Sequence, residues 1–376
     1  MEYRKEMRMR YMENNLVYRS TESFFKYQAW PSVCIDEEGV LYAVCSGHRV
    51  SHVCPFGMNL MFVSFDGGKV WSSPIIINDS WLDDRDCGIC YMGNGKMIMS
   101  YFCHPTEFYT ESNMSNSIMK MTDDYSRDLV GATLGTYPKF TENMNKSGSF
   151  VRISDNKGMT WSTPVKLPVS APHGPVFTAG SKRLLYLGKE MYSGISDESK
   201  KDQIMLYEST NGGYGWEYVS TVPIPEGYCA SQIHEPHLTE LPNGDLLAAL
   251  RCHCPNGVPY KTFTIYLSTS KDGGKTWSTP TATGICGSPP HLLTLSDGSV
   301  VLSYGRREEP YGIRAVISRD GFKTFGDEIV IDSAGNSDLG YPATVEMKDG
   351  RLITVYYKRY ENDRRTSIFS AVWDKQ

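Results

Sequence analysis

The sequence predicts an all-β chain folded as a six-bladed β-propeller, and three observations predict it. A turn motif, Ser-x-Asp-x-Gly-x-x-Trp, recurs along the chain. An apolar hairpin pattern recurs six times. The last repeat is one strand short, while an unpaired strand-like segment opens the sequence.

The turn motif is clearest at Ser64–Trp71 and Ser270–Trp277. Looser copies run from Ser154 to Trp161 with Asn156, from Ser209 to Trp216 with Asn211, and from Ser318 to Phe325 with Phe322 replacing a glycine. Each copy lies between two β-rich runs. Its chemistry is that of a hairpin turn: Asp or Asn accepts backbone N–H groups, Gly takes positive φ, and the aromatic ring packs beneath. Such turn residues are already committed, so they are read as structural.

The hairpins start at Pro31, Cys87, Pro175, Pro236, Pro290 and Pro342, and each joins two apolar runs through a polar turn that usually contains Gly. The blades expected from these repeats are 24–80, 81–168, 169–225, 226–283, 284–333 and 334–373, making one domain of the whole chain, 1–376. The last unit holds three strands after Pro342. The segment 15–20 is therefore expected to supply its fourth, which closes the ring and leaves no open edge. Unit two carries a polar, Met-rich insertion, 105–147, containing Met114, Met119, Met121 and Met144. It is expected at the active-site mouth, as a functional element or a plain surface excursion.

Composition bounds the function. Of 376 residues, 40% are hydrophobic and 22% charged, which suits a globular chain with a large core. The net charge of −5 and the lack of a basic block argue against a nucleic-acid partner. No run approaches 18 apolar residues, so no membrane span is expected. The charged first ten residues lack a following apolar stretch and do not read as a secretory signal. The ten cysteines then read as reduced thiols and the expected location is cytoplasmic. Cys252-His253-Cys254 has no second ligand pair, so no metal is expected; without a Gly-rich phosphate loop, neither is a cofactor.

In a propeller the first strand of each blade is innermost, and its leading residues ring one mouth of the central channel. Those positions carry Ala29-Trp30, Arg85-Asp86, His173-Gly174, His234-Glu235, Ser288-Pro289 and Gly340-Tyr341. Second-strand ends add Arg49, His104, Glu190, Arg251 and Arg306-Arg307, and third-strand starts add Arg314 and Arg365. Several arginines around one axis repel unless an anion joins them, and the guanidinium fork suits a carboxylate. A Tyr beside a Glu can act as a nucleophile, since the carboxylate takes up the phenolic proton.

These residues resemble the sialidase superfamily, six-bladed propellers whose turn motif is called the Asp box. The resemblance implies three arginines gripping a substrate carboxylate, a Tyr nucleophile paired with a Glu, and an Asp acid/base. The stretch His234–Gly244 followed by Leu250-Arg251 is similar to the segment bearing the Glu and the second Arg. Gly312–Ser318 is similar to the segment with the third Arg, and Gly340–Glu346 to that with the nucleophile. These carry over as Glu235, Arg251, Arg314 and Tyr341. The family's Arg-Ile-Pro is here Ala29-Trp30-Pro31, and the loop that carries its Asp reads Arg49–Pro55 with no carboxylate. Arg85 or Arg49 is expected to replace the missing arginine, and Asp86, Asp84 or His52 the missing acid.

The expected activity is that of a retaining exo-glycosidase removing a terminal sialic acid or related anionic sugar from a glycan. Tyr341, Glu235 and Asp86 are the expected catalytic groups; Arg49, His52, Arg85, His173, Arg251 and Arg314 the expected substrate-binding ones. Two alternatives keep the same pocket: a non-catalytic glycan-binding propeller, and a lyase or hydrolase of uronate glycans in which His52, His173 and Tyr341 handle the proton.

Overall fold

A computed structural model describes residues 12–21, 24–105, 108–109, 124–136, 147–191, 197–359 and 365–375. Met114, Met119, Met121 and Met144, and most of the 105–147 insertion, lie outside the described residues. The strands form six antiparallel sheets, each wound outward from an inner strand and, in all but the last, in chain order, which makes a six-bladed β-propeller. Inner strands Tyr27–Ile35, Arg85–Gly93, Ile233–Glu240, Pro290–Thr294 and Gly340–Glu346 lead blades one, two, four, five and six. In blade three the inner strand is broken into Val169–Ser170 and Val176–Phe177, both paired with Leu184–Glu190.

The ring closes through the N-terminal strand. Met12–Tyr18 runs antiparallel to Thr366–Trp373, with Met12 opposite Trp373 and Leu16 opposite Phe369. It starts and stops earlier than the expected 15–20, because pairing with the long last strand extends it towards the N-terminus. Within the insertion, a helix at Asp124–Leu134 seats Val130 and Leu134 against the core between blades one and two.

The five turn motifs hold a common hydrogen-bond net. In the first, Gly68 N donates to Ser64 Oγ and Val70 N to Asp66 Oδ1, both at 3.0 Å; the further bond from Trp71 Nε1 to Gly68 O at 3.1 Å recurs at Trp216 but not in every copy. The fifth copy keeps the net with Phe322 at φ 65°, a conformation that glycine adopts without steric cost in the other four. All five join the third strand of a blade to its fourth, on the face away from the second-strand ends.

The channel is blocked part-way by three buried histidines. His173, His237 and His291 have ring centroids 4.3–5.5 Å apart, with His237 Nδ1 accepting from Leu292 N at 3.0 Å. Below them a cavity of about 1110 Å³ opens on the turn-motif face.

All eight histidines of the chain are held below their ordinary value by burial first of all: His52, His104 and His237 at about 3, and His234 at about 4. Below pH 6.5 the unfolded imidazoles take protons that the folded ones refuse, so stability falls as pH drops. Asp84 and Asp86 oppose this, since burial raises both to about 7 and the folded state keeps protons there that the unfolded chain releases. Eight groups outweigh two. The urea midpoint is expected to be lower at pH 5 than at pH 7.5; an equal or higher midpoint at pH 5 would contradict this.

Candidate active site

One backbone device sets the site. In blades one, two, four and six the inner strand breaks register at its leading end, between Ala29 and Ser32, Arg85 and Gly88, His234 and His237, and Gly340 and Ala343. At each break one residue is in the left-handed region: Trp30 at φ 54°, Asp86 at 46°, Glu235 at 40° and Tyr341 at 50°. Positive φ at such residues costs about 1–3 kcal/mol each and persists only where the surrounding structure over-determines it. The bulges turn all four side chains to the mouth of the channel. They line a cavity of about 270 Å³.

Tyr341 and Glu235 form its centre. The Tyr341 hydroxyl donates to Glu235 Oε1, and Arg251 Nη1 donates to Glu235 Oε2. Burial pushes the Glu235 carboxyl up, but Arg251, the Tyr341 hydroxyl and Arg307 together bring it below its ordinary value. Burial and the facing carboxylates Glu235 and Asp86 hold the Tyr341 phenol well above 10. The pair is therefore a neutral phenol and an ionised carboxylate, joined by a hydrogen bond.

Asp86 is the complementary group. Burial raises its carboxyl to about 7, with Arg85 opposing and Glu235 adding to the rise. It is thus a carboxylic acid that still carries its proton near neutrality.

Cations surround these groups. Arg85 donates to His52 O at 2.9 Å and to Asp83 Oδ2 at 3.2 Å, with its guanidinium 4.2 Å from the Trp30 ring centroid. Arg307 packs 5.6 Å from the Tyr341 ring, and its Nε and Nη2 have no partner among the described residues. Lys189 also lines the cavity, donating to Ile233 O at 2.9 Å. His52 joins the wall, its Nδ1 bonded to the Tyr27 hydroxyl at 2.9 Å.

Of the residues singled out in the sequence, the structure brings together Tyr341, Glu235, Asp86, Arg85, His52 and Arg251. It places three elsewhere. Arg49 is fully buried behind the wall, its guanidinium bound by both oxygens of Asp83. His173 sits on the axis with the other two channel histidines, because the break in blade three falls beside it at Gly174. That glycine, at φ 76°, lets the chain pass Gly88, where an added Cβ would come 2.4 Å from Gly174 N. Arg314 lies in the body of blade five, donating to Asp332 O at 2.7 Å and Pro310 O at 3.0 Å, with Glu328 at 3.4 Å. A third-strand residue starts too far from the axis. The arginine that completes the cluster is Arg307, just past the end of the second strand. Arg306 before it turns outward to Glu328 at 3.2 Å, and strand alternation then sends Arg307 inward. Lys189, also missed, had the equivalent signal one residue before the noted Glu190.

The BNR repeat-like domain family matches residues 126–354, more than half of the sequence. The chain belongs to this family. A sialidase of Vibrio cholerae is 37% identical over 100 residues, 24% of this propeller and 12% of that protein. The aligned part is thus a small fraction of that relative's length. Among solved structures, a protein of unknown function from Dyadobacter fermentans superposes with TM-score 0.72 at 24% identity, covering 97% of this BNR propeller and 98% of that chain. The NanB sialidase of Streptococcus pneumoniae (K499G mutant) gives TM-score 0.69 at 16% identity, covering 96% of this chain and 70% of that one. At these identities the superpositions establish the fold, a six-bladed propeller, and nothing beyond it.

Proposed function

We propose that this propeller is a retaining exo-glycosidase that removes a terminal sialic acid or a related anionic sugar from glycans. The observation that carries this reading is the Arg251–Glu235–Tyr341 chain of hydrogen bonds inside a pocket that Arg85 and Arg307 make cationic. In the first step the Tyr341 oxygen bonds to the anomeric carbon while its proton passes to Glu235. The glycosidic bond breaks, and Asp86 gives its proton to the leaving oxygen. In the second step a water attacks from the side the leaving group vacated. It loses its proton to Asp86, and the phenol recovers its own from Glu235. Two displacements give retention. Arg251, Arg307 and Arg85 hold the sugar's carboxylate; Trp30 fills the place of the family's first arginine and supports Arg85 by its ring face.

The direct test is incubation with a fluorogenic α-sialoside, followed by proton NMR of the first-formed sugar. Release with retained α configuration supports the reading. Release with inversion, or none from sialosides and other anionic glycosides, overturns it. The arginine assignment has its own check. Arg307→Ala is expected to raise KM for an anionic substrate about a hundredfold, the loss of charge-assisted hydrogen bonds of roughly 1.5–3 kcal/mol. Arg314→Ala is expected to lower the thermal midpoint while leaving KM near wild type.

A further inference from the structure

The replacement arginine needs its own support, because Arg85 reaches the pocket from a position where the family's motif has no such residue. Besides the Trp30 ring face, two hydrogen-bond acceptors among the described residues hold it, the Asp83 carboxylate and the His52 carbonyl. Neither is dedicated to Arg85. Asp83 also binds Arg49 through both oxygens, and His52 O also accepts from Arg49 Nη2 at 3.0 Å. A carboxylate shared in this way settles where its other partners put it.

Among the described residues Asp83 has one further partner, and it comes from the insertion. Tyr109, buried at 1% exposure, donates its hydroxyl to Asp83 Oδ2 at 3.0 Å, the same oxygen that Arg85 uses. A helical turn at the root of the insertion, with Phe108 N donating to Pro105 O at 3.0 Å, delivers the ring. The insertion reaches the second support as well. Tyr109 and Val130 share one apolar core with Val50, Val53 and Cys54, the loop that carries His52. Phe108 stacks on His104 at 3.7 Å, and His104 meets Phe102 edge-on at 5.1 Å; Phe102 in turn lies 5.9 Å from the Arg85 guanidinium. Every support of Arg85 on this side is therefore backed by the first turn or the helix of the insertion.

We propose that Tyr109 is a positioning residue of the substrate-carboxylate site, which, through Asp83, aims Arg85 into the pocket. This rests on the reading that Arg85 binds the carboxylate of an anionic sugar. The hydroxyl fixes the plane of the Asp83 carboxylate; without it Asp83 is free to favour Arg49, and Arg85 swings. Tyr109 touches no substrate, so its loss weakens binding and leaves the chemical step alone.

The test is Tyr109→Phe in the full chain, which removes one hydroxyl and keeps the buried ring. With a fluorogenic sialoside, KM and the inhibition constant of free N-acetylneuraminate are expected to rise about tenfold, with kcat within twofold of wild type. In an Arg85→Ala background the same change is expected to add nothing. A readout independent of any substrate is phenylglyoxal labelling mapped by mass spectrometry: Arg85 is expected to react several-fold faster in Tyr109→Phe, with exposed Arg359 unchanged. Unaltered Arg85 labelling, or an equal KM penalty with and without Arg85, overturns the proposal. If wild type neither binds nor hydrolyses sialosides but Arg85 labelling still accelerates, the sialidase reading fails while Tyr109's hold on Arg85 stands.

Discussion

Tyr341→Phe is expected to lower kcat on a fluorogenic sialoside by about a thousandfold or more, with KM little changed. The substitution deletes the phenolic oxygen and nothing else, and in the proposed reaction that oxygen forms the covalent bond to the anomeric carbon. The buried ring keeps its packing against Trp30 and Tyr357, at centroid distances of 6.4 and 6.0 Å. The fold and the arginine cluster therefore survive, and a thermal midpoint close to wild type is the control. Glu235 then retains Arg251 as its partner, so the pocket holds substrate without a nucleophile. Mass spectrometry of wild type quenched during turnover with a fluorinated sialic acid analogue is expected to place the sugar on Tyr341. A variant with undiminished turnover would remove Tyr341 from the chemistry altogether.

The second large effect belongs to Asp86. Because burial raises its carboxyl to about 7, the acid form, which donates to the leaving oxygen in the proposed reaction, prevails below that pH and is lost above it. Glu235, held below its ordinary value, remains the base down to acid pH. The expected kcat/KM profile is a bell whose alkaline limb falls through about pH 7. Asp86→Asn keeps the size of the side chain but cannot give up a proton. It is expected to cost about 10²–10⁴-fold on a natural glycoside and much less on an activated aryl glycoside, and to flatten the alkaline limb. An unchanged limb in Asp86→Asn would pass the role of acid to another group, for which His52 does not qualify. Its ring, pressed down to about 3 by burial and by Arg85, is neutral at the pH where the acid is needed.

The comparison of Asp86 with Arg314 shows where sequence reading of the site works. Asp86, Glu235 and Tyr341 all stand immediately before the aligned start of an inner strand. A repeat alignment alone puts them at one mouth, and the left-handed φ they share is the physical counterpart of that alignment. Arg314 was assigned by likeness of a short segment, Gly312–Ser318, and the segment is indeed a third strand. In this chain, however, Glu328 and the carbonyls of Pro310 and Asp332 meet its guanidinium inside blade five. Arg307 was in view as half of Arg306-Arg307, but which of the two faces inward depends on a strand end that the sequence leaves ambiguous by one residue. His173 went astray for a related reason. The inner strand of blade three is broken, so a residue at the aligned position lies on the axis instead of at the mouth.

By itself the sequence determined the architecture: five turn motifs, six hairpins and an orphan N-terminal strand admit few folds other than a closed six-bladed ring. These are local signals, since a turn needs its own Asp and Gly and a strand its own alternation, and both are written in contiguous residues. It also put Tyr341, Glu235 and Arg251 at strand ends around one mouth, and the resemblance to sialidases picked them out there. Only the tertiary structure decided that Arg307 and Arg85 join Arg251 at the cavity, that Arg49 and Arg314 are held on Asp83 and Asp332 away from it, and that Asp86 keeps its proton to about pH 7. Those properties depend on which blade packs against which, and on how much water each side chain loses. Direction and desolvation are set by residues far away in the chain, such as Asp83 and Tyr109 around Arg85.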